Sequence, residues 1–296
     1  MKTKAWVWLV ASMLAGGLVL EAAAQDEEPA TYCRFVKERK DDFAWENDKI
    51  AFRAYGPALR GAPEDSGVEV WLKCVDYPII DAWYKRSADG YSFQQDHGEG
   101  YVPFTAGASR GCGGLALWVD GKMVPSNVFK SNRIEKKTKD ESVFVLNYEW
   151  RHGGATYTEE KRITIQLGDR VYKASSTFKK NGKPVENLKL AVGLVRQHEC
   201  AEIDQDLAEG WLSVWESVDG QWLGTGIVMD AARIEETLIH ASDQGAADHA
   251  LILAKTDAEG KIEYYAGYGW EKAGEITSRE EWMRYLSSFA RSQPSS

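Results

Sequence analysis

The charged residues of this 296-residue chain are mainly acidic. It has 45 Asp and Glu against 36 Lys and Arg, which gives a formal net charge of −9 at pH 7. An acidic surface repels nucleic acid and anionic lipid, so neither is an expected partner. The net charge does not exclude an anionic sugar as a ligand, because a local cluster of Arg and Lys outweighs the net field at short range.

Residues 1–24 have the pattern of a secretory signal peptide. Lys2 and Lys4 precede an apolar run over residues 5–20, and three alanines at 22–24 form a small-residue cleavage site. The apolar run is short for a membrane span, so we predict cleavage before Gln25 rather than a membrane anchor. This pattern predicts a secreted or periplasmic protein that is not inserted in the membrane after cleavage.

The remaining chain is predicted to hold one domain. Residues 25–31 are acidic and contain a proline, which indicates a flexible N-terminal arm. Residues 32–296 contain no internal repeat and no long linker, so we assign them to a single domain. No metal or cofactor is expected, because the chain has no CxxC pair and no calcium-loop pattern. The four cysteines are compatible either with disulfides, in three possible pairings, or with free thiols, at Cys33, Cys74, Cys112 and Cys200.

Strand patterns recur along most of this domain. Alternating or continuous apolar runs fall at residues 49–55, 68–75, 115–119, 142–150, 155–167, 171–178, 189–195, 211–216, 222–229, 250–256 and 261–268. Several of the connections contain Asn-Gly, Asp-Gly or Gly-Gly, which favour tight hairpin turns. We therefore predict an all-β fold, a large antiparallel β-sandwich with two sheets.

Two segments interrupt the strand pattern. Residues 76–84 hold a proline and several bulky aromatic residues, and are interpreted as irregular or as a short helix. At the C-terminus, Ser278 and Glu281 form a capping box, which predicts a helix docked on the sandwich edge. Its apolar residues share one helical face, at positions Trp282, Tyr285, Leu286 and Phe289.

Residues 91–114 combine ionisable side chains with many glycines. They hold six glycines together with Asp96, His97, Glu99, Tyr101 and Arg110. Glycine lets the backbone adopt conformations that a side chain blocks, and functional residues are concentrated on loops. The segment is therefore interpreted either as a functional loop on a β scaffold or as a glycine-rich crossover held by local hydrogen bonds.

Several motifs together resemble one bacterial family. They are RKDDFAWENDKIAFRAYGPAL at 39–59, YPIIDAWY at 77–84, DHGEGY at 96–101, SRGCGG at 109–114 and YYAGYGW at 264–270. The family is the one named domain of unknown function 4861. The resemblance implies an exported protein that accompanies polysaccharide-degrading enzymes, often those acting on uronic-acid polymers. It also implies a large β-sandwich similar to the galactose-mutarotase supersandwich, with an oligosaccharide or polysaccharide as its partner.

If the substrate is a uronate, as the resemblance implies, β-elimination by a lyase or dehydratase suits these residue types. The reaction needs a cation to neutralise the carboxylate, a base for the C5 proton and an acid for the oxygen that leaves C4. Arg110 or Arg53 is predicted to hold the carboxylate, and His97 to act as the base. Tyr101 or Tyr55 is the candidate acid. The alternative for each arginine is structural: Arg110 would brace the glycine loop, and Arg53 would lie on a solvated face or pair with Glu46 or Asp48.

Other residues and reactions remain open at this stage. If residues 97–101 are extended, His97, Glu99 and Tyr101 share one side of the strand. His198 is a second candidate base. The alternatives to elimination are glycoside hydrolysis by two glutamates, sugar epimerisation by a His and a Glu, and binding without catalysis. Candidate substrate-binding residues, several of them aromatic, are Trp45, Glu46, Asn47, Arg53, Tyr55, Trp83 and His198. The sequence does not indicate an oligomeric state.

Overall fold

The structure is a computed structural model that describes residues 28–241 and 248–293. The predicted signal peptide and the first three residues of the predicted arm lie outside the described residues. Thr31, the last residue of that arm, is buried and donates a hydrogen bond to the Thr138 carbonyl oxygen at 2.7 Å. Within the described ranges, no helix is both long and apolar enough to cross a membrane.

The described residues form nineteen strands and two α-helices. The first part of the chain contains β1 (Tyr32–Val36), β2 (Asp42–Glu46), β3 (Ala51–Ala54), β4 (Val68–Lys73), α1 (Ile80–Ala88) and β5 (Gly100–Tyr101). The middle part contains β6 (Cys112–Val119), β7 (Lys122–Pro125), β8 (Ser131–Lys137), β9 (Glu141–His152), β10 (Ala155–Gln166), β11 (Val171–Lys180), β12 (Lys183–Pro184) and β13 (Lys189–Arg196). The last part contains β14 (Glu202–Asp206), β15 (Trp211–Val218), β16 (Gln221–Val228), β17 (Ile234–His240), β18 (Asp248–Lys255), β19 (Lys261–Trp270) and α2 (Arg279–Ser292).

Three sheets make up the sandwich. The first sheet has the order β1-β2-β3-β4-β5, and the second has nine strands in the order β14-β15-β16-β19-β11-β10-β9-β8, with β12 beside β11. The third sheet has the order β17-β18-β13-β6-β7. The all-β fold, the antiparallel sandwich and the C-terminal helix predicted from the sequence are confirmed. The sandwich has three sheets and not the predicted two, because two five-stranded sheets together cover the nine-stranded sheet.

Aromatic contacts show that both smaller sheets cover the same face of the nine-stranded sheet. The ring of Tyr172 on β11 packs edge-on against Phe52 of the first sheet, with the ring centres 4.9 Å apart. The Tyr172 hydroxyl also donates to the carbonyl oxygen of Cys112 in the third sheet at 2.8 Å. One continuous apolar core therefore joins all three sheets.

The C-terminal helix packs on the opposite face of the nine-stranded sheet. Ser278 caps α2 by accepting a hydrogen bond from the Glu281 backbone N–H at 3.2 Å, as the capping box predicts. Trp282 is fully buried against β16, where Gly224 leaves space for its indole ring. The predicted apolar face of α2 is thus the face that docks.

The four cysteines are free thiols in this structure. Cys33 and Cys112 are buried, Cys74 is half-buried and Cys200 is exposed. The sequence left disulfides and free thiols as alternatives, and the structure has free thiols. Apolar packing holds its core together.

Candidate functional site

Helix α1 and the segment after it cover the outer face of the first sheet. The Trp71 ring, on β4, lies 5.4 Å from Trp83 of α1 and 5.1 Å from Phe93 of the following segment. These residues form a second apolar cluster, separate from the main core. The cluster fixes the segment that the sequence marked as a possible functional loop.

A small open pocket lies between α1 and this segment. It is a shallow depression with a volume of about 20 Å³ and opens to solvent. Its lining combines aromatic rings with one guanidinium, one imidazole and one carboxylate, from residues Trp83, Arg86, Tyr91, Ser92, Phe93, Gln95, His97, Glu99 and Gly100. The sequence analysis predicted three of these as site residues, namely Trp83, His97 and Glu99.

Glu99 anchors the wall of this pocket. Its carboxylate accepts hydrogen bonds from the Tyr77 hydroxyl at 2.9 Å and from Trp83 Nε1 at 2.8 Å, and it also pairs with Arg86. Burial alone would raise the pKa of Glu99, but these three partners outweigh burial and hold that pKa below its usual range. Glu99 is therefore a charged anchor for the surrounding side chains and a poor proton donor near neutral pH.

His97 and Tyr91 form the exposed side of the pocket. Their rings meet edge to face with 5.1 Å between the centres. Tyr91 is 52% exposed, which makes it one of the most exposed large side chains in the described structure. Arg86 lies in the last turn of α1, and its side chain is 35% exposed beside Glu99. The pocket thus brings a base, a phenol and a guanidinium together.

Asp96 shapes the loop that carries His97. Its Oδ1 accepts from the backbone N–H of Gly98 at 2.7 Å and of Gly100 at 3.2 Å, and its second oxygen pairs with Lys272. Burial would raise the pKa of Asp96, but Lys272 and the loop N–H groups lower it overall. Gly100 has φ +130°, and a Cβ there would lie 1.9 Å from the Leu72 carbonyl oxygen, so glycine is required. Among the described residues, no three His, Cys, Asp or Glu side chains are grouped as a metal site needs.

Arg53 and Tyr55 lie away from this pocket, buried between the first sheet and its cover. Arg53 is 4% exposed and pairs with Glu69, while its charge faces the Trp71 ring at 5.5 Å. The Tyr55 hydroxyl donates to Glu69 Oε1 at 2.9 Å, and burial raises the pKa of this phenol. The predicted substrate contacts are therefore corrected, because both side chains are buried. Arg53 does form an ion pair, but its partner is Glu69 and not the expected Glu46 or Asp48.

Arg110 is also a buried structural residue. It is 1% exposed, pairs with Asp65, and donates to the carbonyl oxygens of Leu115 at 3.0 Å and Ala108 at 3.1 Å. Its own backbone N–H donates to His249 Nε2 at 3.0 Å. Arg110 braces the glycine-rich crossover and does not share a pocket with His97, so its predicted role as the carboxylate holder is corrected.

The three predicted binding residues at 45–47 are structural as well. Trp45 is fully buried and packs against Phe52 in the main core, so it presents no face to a sugar. The Glu46 carboxylate is buried beside Lys73 Nζ at 2.9 Å. Asn47 donates to two backbone carbonyl oxygens at 2.6 and 2.7 Å, which ties the first sheet to the β10–β11 turn.

Tyr101 and His198 also lie outside the pocket. Tyr101 is 5% exposed and faces the main core, with its ring 5.8 Å from Trp270. The prediction that it shares a side with His97 and Glu99 is wrong, because the backbone turns at Gly100 and breaks the strand alternation. His198 is exposed in the β13–β14 connection and does not line the pocket.

The sequence analysis missed the arginine and the tyrosine that do accompany His97. Arg86 follows Trp83 by three residues on α1, a spacing that places both on one helical face. Tyr91 lies at the start of the predicted loop but was not singled out. The i, i+3 spacing from Trp83 was the available signal for Arg86.

Fold and site define an antiparallel β-sandwich protein whose first sheet carries a charged, aromatic surface pocket. Residues 14–295 match the family described as a domain of unknown function, DUF4861, and the chain belongs to this family. It is also 34% identical over 272 residues to Uncharacterized protein P7 of Formosa agariphila. The aligned region covers 88% of this chain and 67% of that protein.

Solved structures with a similar arrangement are more distant. The GH36 α-galactosidase AgaB from Geobacillus stearothermophilus matches with 10% identity and a TM-score of 0.38, over 86% of this chain and 43% of that one. An α-galactosidase from Lactobacillus brevis matches with 10% identity and a TM-score of 0.36, over 84% of this chain and 42% of the other. This chain spans less than half the length of these two enzymes.

Proposed function

We propose that this protein is an exported carbohydrate-active protein of polysaccharide degradation that acts by β-elimination on oligosaccharides containing uronic acid. Export is supported by the signal-peptide pattern of residues 1–24. The observation that carries the proposed reaction is the single pocket that contains Arg86, Tyr91 and His97. These three side chains supply the cation, the acid and the base that elimination needs.

Arg86 takes the role of carboxylate holder in this proposal. A guanidinium has five N–H donors, and the pairing with Glu99 leaves others to bind a substrate carboxylate. Neutralising that carboxylate makes the adjacent C5 proton more acidic. Because Glu99 holds Arg86 in place, the cation needs little reorganisation when substrate binds.

His97 and Tyr91 are assigned the two proton transfers. His97 removes the C5 proton, and the electron pair of that C–H bond forms the C4–C5 double bond as the C4–O bond breaks. Tyr91 donates its phenolic proton to the departing oxygen. Tyr91 and Trp83 also offer aromatic surface to an apolar face of the sugar ring.

The first test is an elimination assay. We expect wild-type protein, incubated with saturated uronate oligosaccharides, to generate the absorbance of the conjugated 4,5-unsaturated product. His97→Ala should reduce the rate by about 100-fold or more, because a general base contributes roughly that factor. The matched control is His198→Ala, an exposed histidine outside the pocket, which should keep the wild-type rate. Equal loss in both variants would contradict the assignment of His97.

A second variant tests the carboxylate holder. Arg86→Gln should lower kcat/KM by about 10- to 100-fold, in line with the loss of a charge-assisted hydrogen bond. The control is Arg151→Gln, which removes an exposed arginine on β9. An unchanged kcat/KM in Arg86→Gln would show that another group neutralises the substrate.

Binding without catalysis is the second candidate function, and the exposed Tyr91 ring favours it. In that case the protein would bind the oligosaccharide without forming an unsaturated product, and Tyr91→Ala would abolish affinity. Two-carboxylate hydrolysis is less favoured, because Glu99 is the single carboxylate among the described residues that line the pocket. His/Glu epimerisation is less favoured, because the Glu99 carboxylate is already engaged by Tyr77, Trp83 and Arg86. Release of reducing ends without the 4,5-unsaturated absorbance would nevertheless indicate hydrolysis.

A further inference from the structure

A second and larger cavity adjoins the candidate site. It has a volume of about 410 Å³ and lies where the first sheet meets the turn before α2. Its lining is mainly polar and charged, from residues Asp48, Lys49, Lys73, Cys74, Val75, Asp76, Tyr77, Arg170, Ala273 and Glu275. The function proposed above makes no use of this cavity.

The two cavities share one wall. Tyr77 lines the larger cavity, and its hydroxyl donates to Glu99 Oε1, in the lining of the smaller one, at 2.9 Å. Cys74 also lines the larger cavity, and its backbone N–H donates to the Glu99 carbonyl oxygen at 2.9 Å. Lys272, which precedes Ala273 of the larger cavity, pairs with Asp96, which precedes His97 of the smaller one. The linings of the two cavities are therefore directly bonded to each other.

The sizes of the two cavities differ in a way that bears on the ligand. Pockets that bury a small organic ligand are typically about 300–1,000 Å³ in volume. At about 20 Å³ the smaller pocket is a shallow depression that admits only part of a sugar ring, whereas the larger cavity, at about 410 Å³, has room for a whole ring. An oligosaccharide held only by the smaller pocket would leave most of its surface in water.

Resting on the proposed function, we propose that the two cavities are adjacent subsites of one cleft. The terminal uronate occupies the Arg86–Tyr91–His97 pocket, and the next sugar of the chain occupies the larger cavity.

The charges of the larger cavity indicate the kind of sugar that it takes. Lys49 and Arg170 both pair with Glu275, and the Lys73 ammonium is engaged by Glu46. With Asp48 and Asp76 added, the lining has no excess of positive charge. Such a lining suits the hydroxyl groups of a neutral sugar, which hydrogen-bond to carboxylates and cations, better than a second uronate.

Asp76 is the most useful residue for a test. It is exposed at the larger cavity, and no side-chain hydrogen bond or ion pair of its carboxylate is seen within residues 28–241 and 248–293. Its removal should therefore leave the fold unchanged. Glu186→Ala is a matched control, because Glu186 is an exposed carboxylate that lines neither cavity.

The test compares a uronate methyl glycoside with a disaccharide in which C1 of the same uronate is linked to a neutral sugar, so that both substrates lose the same C4 hydroxyl as water. We expect wild-type protein to favour the disaccharide in kcat/KM by about tenfold or more. Asp76→Ala should raise KM for the disaccharide by about 5- to 10-fold, the effect of one lost hydrogen bond, and leave kcat and the methyl glycoside unaffected. Equal kcat/KM for both wild-type substrates, or an unchanged KM in Asp76→Ala, would overturn the second subsite.

A binding measurement separates this inference from the proposed reaction. If no substrate is turned over, elimination fails, and calorimetry then tests the subsite alone. Tighter binding of the disaccharide that weakens in Asp76→Ala, but not in Glu186→Ala, supports the subsite, whereas equal affinity for both ligands overturns it.

Discussion

At the scale of single residues, charge alone did not distinguish binding groups from structural ones. Arg53 and Arg110 have the residue type that a uronate site needs, yet each is at most 4% exposed and each is paired with a carboxylate. Arg86 has the same chemistry and is partly exposed beside His97. Burial and partners, which depend on the fold, decide between the two roles.

His249 provides a residue-scale prediction about pH. It is 2% exposed and accepts a hydrogen bond from the Arg110 backbone N–H. Burial, followed by the nearby Arg110 charge, lowers the pKa of His249 to about 3. A histidine with a lowered folded-state pKa stabilises the fold above its unfolded pKa of about 6.5, and this contribution is lost as the pH falls towards 3.

We therefore expect the wild type to lose about 2–3 kcal/mol more stability than His249→Gln between pH 7 and pH 4.5. The measurement is urea unfolding of both proteins at the two pH values. Burial raises the pKa of Asp42 to about 6, so Asp42 changes the stability in the opposite direction over this pH range. Both proteins contain Asp42, so its contribution cancels in the comparison. An identical acid loss in the two proteins would show that His249 is protonated without cost.

At the scale of elements, α1 is tied to the first sheet by a buried carboxylate. Glu46 accepts hydrogen bonds from the backbone N–H groups of Ile79 and Ile80, each at 2.9 Å, at the N-terminus of α1. Helix N-termini carry unpaired N–H groups and partial positive charge, so an anion is favourable there. Since α1 carries Trp83 and Arg86, Glu46 positions the site although it does not contact a ligand.

We expect Glu46→Ala to destabilise the protein by about 3–5 kcal/mol. The variant leaves the buried Lys73 ammonium without its carboxylate and removes the cap of α1. The control is Glu149→Ala, which breaks a surface pair with Lys130 in which both side chains are about half exposed, and should cost less than about 1 kcal/mol. Chemical denaturation measures both, and similar small losses would contradict the structural role of Glu46.

At the scale of the whole molecule, the fold class was more predictable than the layering. Alternating strands, Asp-Gly and Asn-Gly turns and the α2 pattern were enough for an all-β sandwich with a C-terminal helix. The first sheet was only partly predicted, because β3 and β4 have strand patterns whereas β2, which is buried on both faces, was not recognised as a strand. Polar residues such as Glu46 and Glu69 then lie beneath α1 and its following segment, so they do not mark a solvated face.

The site, like the fold, could be predicted only in part from the sequence. The glycine-rich segment at residues 91–114 was identified from its composition, and its first part does line the pocket. Its second part, with Arg110, is the structural crossover that was the alternative interpretation. One sequence segment thus contains both the pocket lining and the structural crossover. The boundary between these two parts lies at Gly100 and depends on a backbone turn that the residue pattern does not specify.

A crystal structure of His97→Ala with a saturated uronate oligosaccharide tests the central claim most directly. The substitution should prevent turnover and leave the remaining pocket intact. We predict that the terminal uronate carboxylate binds Arg86, that its ring lies beside Tyr91, and that the next sugar lies in the cavity lined by Asp76 and Tyr77. A sugar bound elsewhere on the sandwich, with the Arg86 pocket empty, would contradict the account.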